Sequence, residues 1–593
     1  MEYKSLNIIR SAMMAATMLL LASCKSGDKE AATGMEEPPH LEQRGGVTQL
    51  IVKGKPWLVL GCELGNSTSS SREYMQPVWE KLKLTGVNTV LAVVSWEQTE
   101  PVEGQFDFTV VDDLIRDART NGMKLALLWF GSWKNGITSY TPTWVKRDTK
   151  RFPLATTPEG KPLPILSTLG EATCKADAKA FAAVMQHIKE VDAREQTVVM
   201  MQMENEVGLH GHPRDYCPQA EKTFSAPVPK ALTDYLTANK ARLLPETLKA
   251  WEAKGCRTEG TWAEVFGPDD RAAEIFMAWY YAAYMDRITA AGKAAYSLPV
   301  FVNAWIVQPE DKRPGNYPSG GPQAQNHDIW RAAAPSIDIL SPDIYLSDFP
   351  SILRLYARGG NPVFIPESRS GQQGAANAAY AIGAMGAIGY SPFGFERNCS
   401  DEVNVSFCQF YQKAGAVADT ILAAQAEGRI GAAWLKGSDP QRVKDTIRLG
   451  DVKIVCELIS SGMRNGGAPQ LTGGTYAPAA IGYAIAIRRQ PAAGSQEAEA
   501  DSLNVGAGEF LFLGSNVRVT FLPADGKGFI GLAKVTEGDY DAQGRWHEGR
   551  WLNGDEIQLR YDLLYAVGEG YSGQGLNFGR QEPQFLKVEL FNY

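Results

Sequence analysis

The chain has 593 residues, 44% hydrophobic and 21% charged, with a formal net charge of -8. Such a length allows more than one domain and a large core, and the composition is that of an ordinary globular protein. An acidic balance with no basic stripe excludes a general nucleic-acid binder.

Lys4 and Arg10 precede an apolar run at 12–22, the pattern of an export signal and too short to cross a bilayer. Leu21-Ala22-Ser23-Cys24 resembles the bacterial lipobox, making 1–23 a signal peptide and Cys24 the lipidated first residue of the mature protein. A plain signal peptide with a chance cysteine is the alternative. Residues 24–44 are polar, acidic and proline-containing, and read as a flexible tether. The expectation is an exported protein, lipid-anchored to the bacterial outer membrane on its periplasmic or cell-surface side. Seven cysteines remain: Cys62, Cys174, Cys217, Cys256, Cys399, Cys408 and Cys456. Their spacing contains no CxxC, which argues against a zinc ribbon, while an oxidising compartment allows one or two disulfides.

From residue 45 short apolar strands alternate with amphipathic helices. Strands are expected at 57–61, 87–94, 123–130, within 197–208, at 299–304, 337–340 leading into 343–345, 362–365 and 387–393. Helical spacing appears at 77–85, 108–121, 177–191, 272–291, 325–334, 351–358 and 375–385, and 209–274 forms a long insertion. Each strand ends in polar or aromatic residues. Eight βα units with chemistry at the strand ends predict an α/β fold, a (β/α)8 TIM barrel over 45–420. The rival doubly wound sheet lacks a G-x-G-x-x-G after its first strand. Beyond 420, glycine-rich turns separate alternating runs at 510–513, 517–521, 529–533, 557–561 and 585–590, with an exposed loop at 494–501. Residues 421–593 therefore read as a smaller C-terminal β-sandwich or jelly-roll.

The most informative stretch is 197–208, TVVMMQMENEVG. A buried strand ends in Glu204, Asn205 and Glu206, groups costly to bury without a task or partners. A strand running into an acidic helix start is the plainer reading. Glu367 follows the seventh strand. Retaining glycoside hydrolysis needs two carboxyl groups about 5–5.5 Å apart, and a barrel mouth brings the ends of strands four and seven within reach of each other.

Residues 202–208 (QMENEVG) are similar to the QxENEYG signature of family 35 glycoside hydrolases, mostly β-galactosidases of the retaining (β/α)8 clan. Trp96-Glu97-Gln98-Thr99-Glu100-Pro101, with Gly104 and 106–108, looks like a segment of families 35 and 42. Pro342-Asp343-Ile344-Tyr345 and Phe364-Ile365-Pro366-Glu367 resemble the bacterial branch carrying a C-terminal β-domain. The resemblance implies Glu206 as acid/base and Glu367 as nucleophile. It implies Asn205 on the sugar 2-hydroxyl, Tyr345 on the nucleophile, and Glu204 on sugar hydroxyls or in support of the site. Val207, where many members have Tyr, and Ser368-Arg369 after the nucleophile depart from the pattern and weaken the transfer of galactose specificity.

Trp96, Trp129, Trp133 and Trp305 fall at strand ends, where an aromatic can stack on a sugar or pack in the core. Glu97, Asn303 and Glu396 are further substrate-binding candidates, with salt bridging the alternative for the two acids. His210, His212 and Cys217 sit in one loop at spacings that favour a substrate-loop or surface role over a metal site. The expected function is a retaining exo-β-glycosidase without metal or organic cofactor, foremost a β-galactosidase on plant poly- or oligosaccharides. Alternatives are another sugar (β-glucoside, β-fucoside or α-L-arabinoside) or a non-catalytic carbohydrate-binding surface lipoprotein.

Overall fold

A computed structural model describes residues 37–459, 479–489, 508–541, 543–557, 574–579 and 582–592. The chain forms two compact units, Met1–Glu37 and Pro38–Tyr593, and everything below concerns the second. The signal segment, Cys24 and the loop at 494–501 lie outside the described residues.

Eight parallel strands close into a barrel: Val59–Glu63, Thr89–Ser95, Lys124–Lys134, Val198–Asn205, Val300–Trp305, Ile339–Ile344, Ile365–Ser368 and Gly389–Pro392. The eighth pairs with the first, Gly389 opposite Val59. Strand side chains alternate between the two faces, and both faces here are apolar. Leu91, Val93, Ala126, Leu128, Val199, Phe301 and Phe364 fill the lumen. Val90, Ala92, Val94, Leu125 and Leu127 point outward to the helices. The helices include Arg72–Leu82, Thr109–Thr120, Glu171–Asp192, Asp270–Ala295, His327–Ala333, Phe349–Tyr356 and Gly371–Met385. Four short helices fill the insertion: Pro218–Phe224, Lys230–Asn239, Pro245–Glu252 and Trp262–Phe266.

The tether expected to reach residue 44 ends sooner. His40–Arg44 is a strand, paired with Val47–Val52, which pairs in turn with Lys55–Trp57. Leu50 and Val52 are buried in the same cluster as the lumen side chains, with Leu41 and Trp57 against it. This small sheet stoppers the barrel at the end where its strands begin. The polar residues of the segment misled the sequence reading because an edge strand needs only one apolar face.

Past the barrel, the helices Val405–Ala416 and Ala418–Ala426 precede the first strand of the β region, Ile430–Lys436. The boundary expected at 420 therefore falls inside a helix. A six-stranded and a four-stranded antiparallel sheet follow. They enclose a core that includes Ile454, Cys456, Phe510, Phe512, Val519 and Phe521. The six-stranded sheet turns its other face to the barrel: Ile485, Leu511 and Leu513 join the main core, and Trp434 Nε1 donates to Asn377 Oδ1 at 2.9 Å. Of the run expected at 557–561, Ile557 ends a 3-10 turn rather than beginning a strand, and 558–561 lie outside the described residues. All seven cysteines are free thiols, so the expected disulfides are not formed; Cys408 Sγ donates instead to the Cys399 carbonyl.

Candidate active site

The site grows from a mismatch between barrel strands three and four. Trp129 lies opposite Met203 and Lys134 opposite Asn205, so strand three spends five residues where strand four spends two. The surplus is a bulge, whose backbone donors lack ladder partners. Glu204 supplies them, accepting from the N–H groups of Gly131 (3.1 Å), Ser132 (2.9 Å) and Trp133 (2.8 Å). A Cβ at Gly131 would come within 2.8 Å of both Glu204 and Asp177, so only glycine fits there. Behind the bulge Asp177 accepts from Trp129 Nε1 (2.8 Å) and Ser132 Oγ (2.6 Å) and hydrogen-bonds Glu204. Burial, then the charge of Asp177, pushes the Glu204 carboxyl well above the usual range. Burial lifts Asp177 to about 6. The two share a proton. Of the two roles expected of Glu204, sugar binding or support of the site, the structure shows the second: it holds the bulge in shape.

Two residues on, the chain turns its next acid into the mouth. Glu204 and Glu206 both adopt left-handed backbone, φ 56° and 45°, a conformation non-glycine residues rarely take and one that collects at functional sites. The Glu206 N–H donates to Asn303 Oδ1 at 3.0 Å. Asn303 Nδ2 donates to Asp343 Oδ2 at 2.7 Å, and Asp343 hydrogen-bonds the Glu206 carboxyl. Asn135, at the far side of the bulge, donates to Glu206 Oε2 at 2.6 Å. Asn303 therefore orients the acid from below, its side chain fully engaged by protein. Asn205 Oδ1 accepts from Lys134 Nζ at 2.8 Å, while its buried Nδ2 has no hydrogen-bond partner.

Opposite stands Glu367, with the Tyr345 hydroxyl donating to its Oε1 at 2.6 Å. Carboxylate oxygens of Glu206, Asp343 and Glu367 lie within 4.8 Å of one another. Register explains part of this: Trp305 pairs with Asp343 and Asp343 with Glu367 across strands five, six and seven. Burial, then the charge of Glu367, raises Glu206 to about 7, against the pull of the Lys134 ammonium. Burial also raises Glu367, tempered by hydrogen bonds from Tyr345 and Glu63 and by Lys134. Asp343 and Glu63 are pushed well above the usual range, by burial first and then by Glu367. Three oxygen donors this close could also suit a divalent cation. Here Lys134 and the Asp343–Glu206 hydrogen bond already meet the charge with an ammonium and a proton.

The tryptophans divide. Trp96 is buried, its Nε1 on Glu100 Oε2 at 2.8 Å, and Glu100 Oε1 accepts from the Gly104 N–H at 2.7 Å. The W-x-x-x-E-P-x-x-G segment is thus a folding clamp. Trp129 packs against Phe181, and Trp133 against Tyr281 and Tyr284; both are core. Trp305 is 36% exposed and meets His210 edge-on. Glu97 is a surface residue paired with Lys146 at 3.1 Å. Glu396 is buried, accepting from the Gly65 N–H and Thr68 Oγ1 at 2.9 Å each, with Arg397 at 3.5 Å. His210 Nε2 lies 3.1 Å from the Asn135 carbonyl, and Cys217 packs against Ser167. Sequence reasoning did not single out Glu63, Lys134, Asn135 or Asp343. Glu63 ends the first strand, two residues beyond the expected 57–61. Asp343 stood inside a quoted motif. Lys134 and Asn135 reach the site only through the bulge, which leaves no periodic trace.

Residues 66–280 match the family model of glycoside hydrolase family 42, described as Beta-galactosidase, and residues 407–563 match a domain of unknown function (DUF5597). The first match spans just over a third of the chain and brings family 42 forward instead of family 35. A protein named Beta-galactosidase from Xanthomonas manihotis is 31% identical over 100 residues, 16% of this chain and 16% of that protein. Among solved structures, a β-galactosidase from Bacillus circulans sp. alkalophilus is 17% identical with a TM-score of 0.41, covering 62% of this chain and 57% of its own. A β-galactosidase from the psychrophilic Marinomonas ef1 is 12% identical with a TM-score of 0.40, covering 61% and 60%. The chain thus covers about a sixth of the curated relative and under two thirds of these two structures.

Proposed function

We propose that the chain is a retaining, exo-acting β-glycosidase, foremost a β-galactosidase releasing terminal β-galactosyl groups from plant poly- or oligosaccharides. The observation that carries this is the Glu206–Glu367 pair. Their oxygens lie within 4.8 Å, close to the separation of a nucleophile and an acid/base and short of the roughly 6.5–9.5 Å at which an inverting enzyme seats its water beside the sugar. Their surroundings differ in the sense the chemistry needs. Glu206, at about 7, holds a proton to give. Glu367 receives the Tyr345 hydroxyl, which favours its anion.

In this reading Glu367 attacks the anomeric carbon while Glu206 protonates the departing oxygen. The glycosidic bond breaks and a glycosyl ester forms on Glu367. Glu206, now a carboxylate, takes a proton from water as that water attacks the ester, and Glu367 leaves as a carboxylate. The free Asn205 Nδ2 is placed to donate to the sugar 2-hydroxyl. Trp305 is the remaining stacking candidate. The family 42 match and the family 35 resemblance both support the assignment, which rests on the carboxyl pair and holds for either.

Aryl β-galactoside hydrolysis by wild type, lost in Glu206→Ala and Glu367→Ala, tests the proposal. A 2-fluoro galactoside should label Glu367, and a label elsewhere overturns that role. A panel of β-glucoside, β-fucoside and α-L-arabinoside fixes the sugar, and inactivity across it sinks the enzyme reading. Export and lipid attachment at Cys24 are proposed from the sequence alone. Incorporation of labelled fatty acid, lost in Cys24→Ala, tests them.

A further inference from the structure

Four carboxyl groups, Glu63, Glu206, Asp343 and Glu367, are buried at one barrel mouth. One ammonium, Lys134, stands among them. Like charges packed this closely in a dry site cannot all ionise, so protons must be held somewhere. The question is by which group and to what end.

Glu63 answers it by position. It is the last residue of the first barrel strand. Its backbone is fixed on both sides, opposite Leu91 on strand two and bridged to Phe393 beyond strand eight, with the Gly394 N–H donating to its carbonyl at 2.7 Å. Its side chain is 1% exposed, and Oε2 has no protein donor. No salt bridge involves it among the described residues. Its carboxyl meets Glu367 in a hydrogen bond. Two carboxyl groups in such contact need one proton between them. Tyr345 already favours the anion on Glu367; the Lys134 ammonium pulls on both carboxyls, and among the described residues no hydrogen-bond donor meets Glu63 Oε2. The proton belongs on Glu63.

We propose that Glu63 is a positioning residue that presents a neutral carboxyl O–H to Glu367, so that the nucleophile is held as an anion by two donors on opposite flanks, Glu63 and Tyr345. The inference rests on the reading of Glu367 as nucleophile. It adds a group that the sequence signatures do not include. The charged and titratable groups facing Glu63 are Glu367, Glu206, Asp343, Tyr345, Glu396 with Arg397 behind it, Lys134, and Cys62 beside it on the strand.

The test compares Glu63→Gln, which keeps a neutral donor, with Glu63→Ala, which removes it. In kcat/KM against pH, Glu63→Ala should move the acidic limb upward and slow labelling by a 2-fluoro glycoside about 10- to 100-fold, the worth of one hydrogen bond to a charged group. Glu63→Gln should stay near wild type in both. Equal limb shifts in the two variants, or none in Glu63→Ala, overturn the proposal. Difference infrared spectroscopy at neutral pH gives a readout independent of activity: wild type should show a protonated-carboxyl C=O band that Glu63→Gln removes. An unchanged band refutes the neutral carboxyl even if Glu63→Ala fails to fold. Wild-type inactivity on every glycoside would refute the enzymatic reading, while the infrared result would still decide the protonation of Glu63.

Discussion

The Tyr345 hydroxyl donates to Glu367 Oε1 at 2.6 Å, a short bond to a buried carboxyl. It stabilises the anion, and Tyr345→Phe removes it. We expect kcat/KM to fall roughly 10- to 100-fold, since a hydrogen bond to a charged group is worth about 1.5–3 kcal/mol. The acidic limb should move up, because Glu367 loses a donor that holds its acidity. An unchanged limb in a steady-state pH profile would show the bond to be structural only.

Activity should fall on both sides of a maximum. A general acid works protonated, and Glu206 loses its proton through about 7, so the alkaline limb lies there. A nucleophile works ionised, and Glu367 is raised above its ordinary value, so the acidic limb lies above the usual carboxylate range. The pair titrates jointly, and a kcat/KM profile reports values of the pair. Glu206→Gln should lower kcat roughly 10²- to 10⁴-fold and abolish the alkaline limb.

The same group ties stability to pH. Glu206 binds its proton more tightly folded, at about 7, than at its ordinary 4.5. Its contribution is fully present below 4.5 and is lost as pH rises through 7. Glutamine is neutral throughout. Calorimetry of wild type and Glu206→Gln at about pH 5 and about pH 8 should show the variant gaining in Tm relative to wild type at the higher pH. A difference independent of pH would contradict the shifted proton affinity.

The four strand-end tryptophans should separate cleanly on substitution. Trp96, Trp129 and Trp133 are 0–1% exposed, and each replacement by Ala should cost about 3–5 kcal/mol of stability. Trp305→Ala should leave the Tm within about a degree and raise KM by ~2- to 10-fold, the 0.5–1.5 kcal/mol of one aromatic contact. Chemical denaturation with parallel kinetics distinguishes them.

Glu204→Gln replaces one of the two oxygens that accept from the Gly131, Ser132 and Trp133 N–H groups with an NH2 that cannot accept, and disturbs the proton shared with Asp177. A loss of about 1–3 kcal/mol is expected from the poorly satisfied N–H groups. Because the bulge carries Lys134 and Asn135, kcat should fall as well. Full activity with reduced Tm would mean the bulge keeps its shape without the second acceptor oxygen.

The barrel was legible because its code is local. Each strand is a short apolar run, and each ends in a visible change of chemistry. The roles within 197–208 were only half legible. Glu204 and Glu206 look equivalent in sequence, and nothing in strand four says that one will serve strand three. That information lies in surplus residues 130–133, which have no periodicity of their own. The tryptophans were overread for a related reason: a strand-end position fixes depth in the barrel but not which face the ring takes. Glu63 was missed, and Asn303 was given to substrate instead of to Glu206, because a group that acts on another side chain, and not on a ligand, needs a partner that only folding identifies.

The small sheet formed by 40–57 gives the barrel a floor. With the lumen above that floor packed by Leu91, Val93, Leu128 and Phe301, the strand-end mouth is the door to the site among the described residues. In the proposed reaction the aglycone must back out through that door before the deacylating water comes in, so the two half-reactions share a single queue. Any alcohol waiting at the entrance stands in the same line as water. Transglycosylation, and inhibition by a lingering aglycone, should therefore grow with acceptor concentration as a direct result of the packed lumen behind the site.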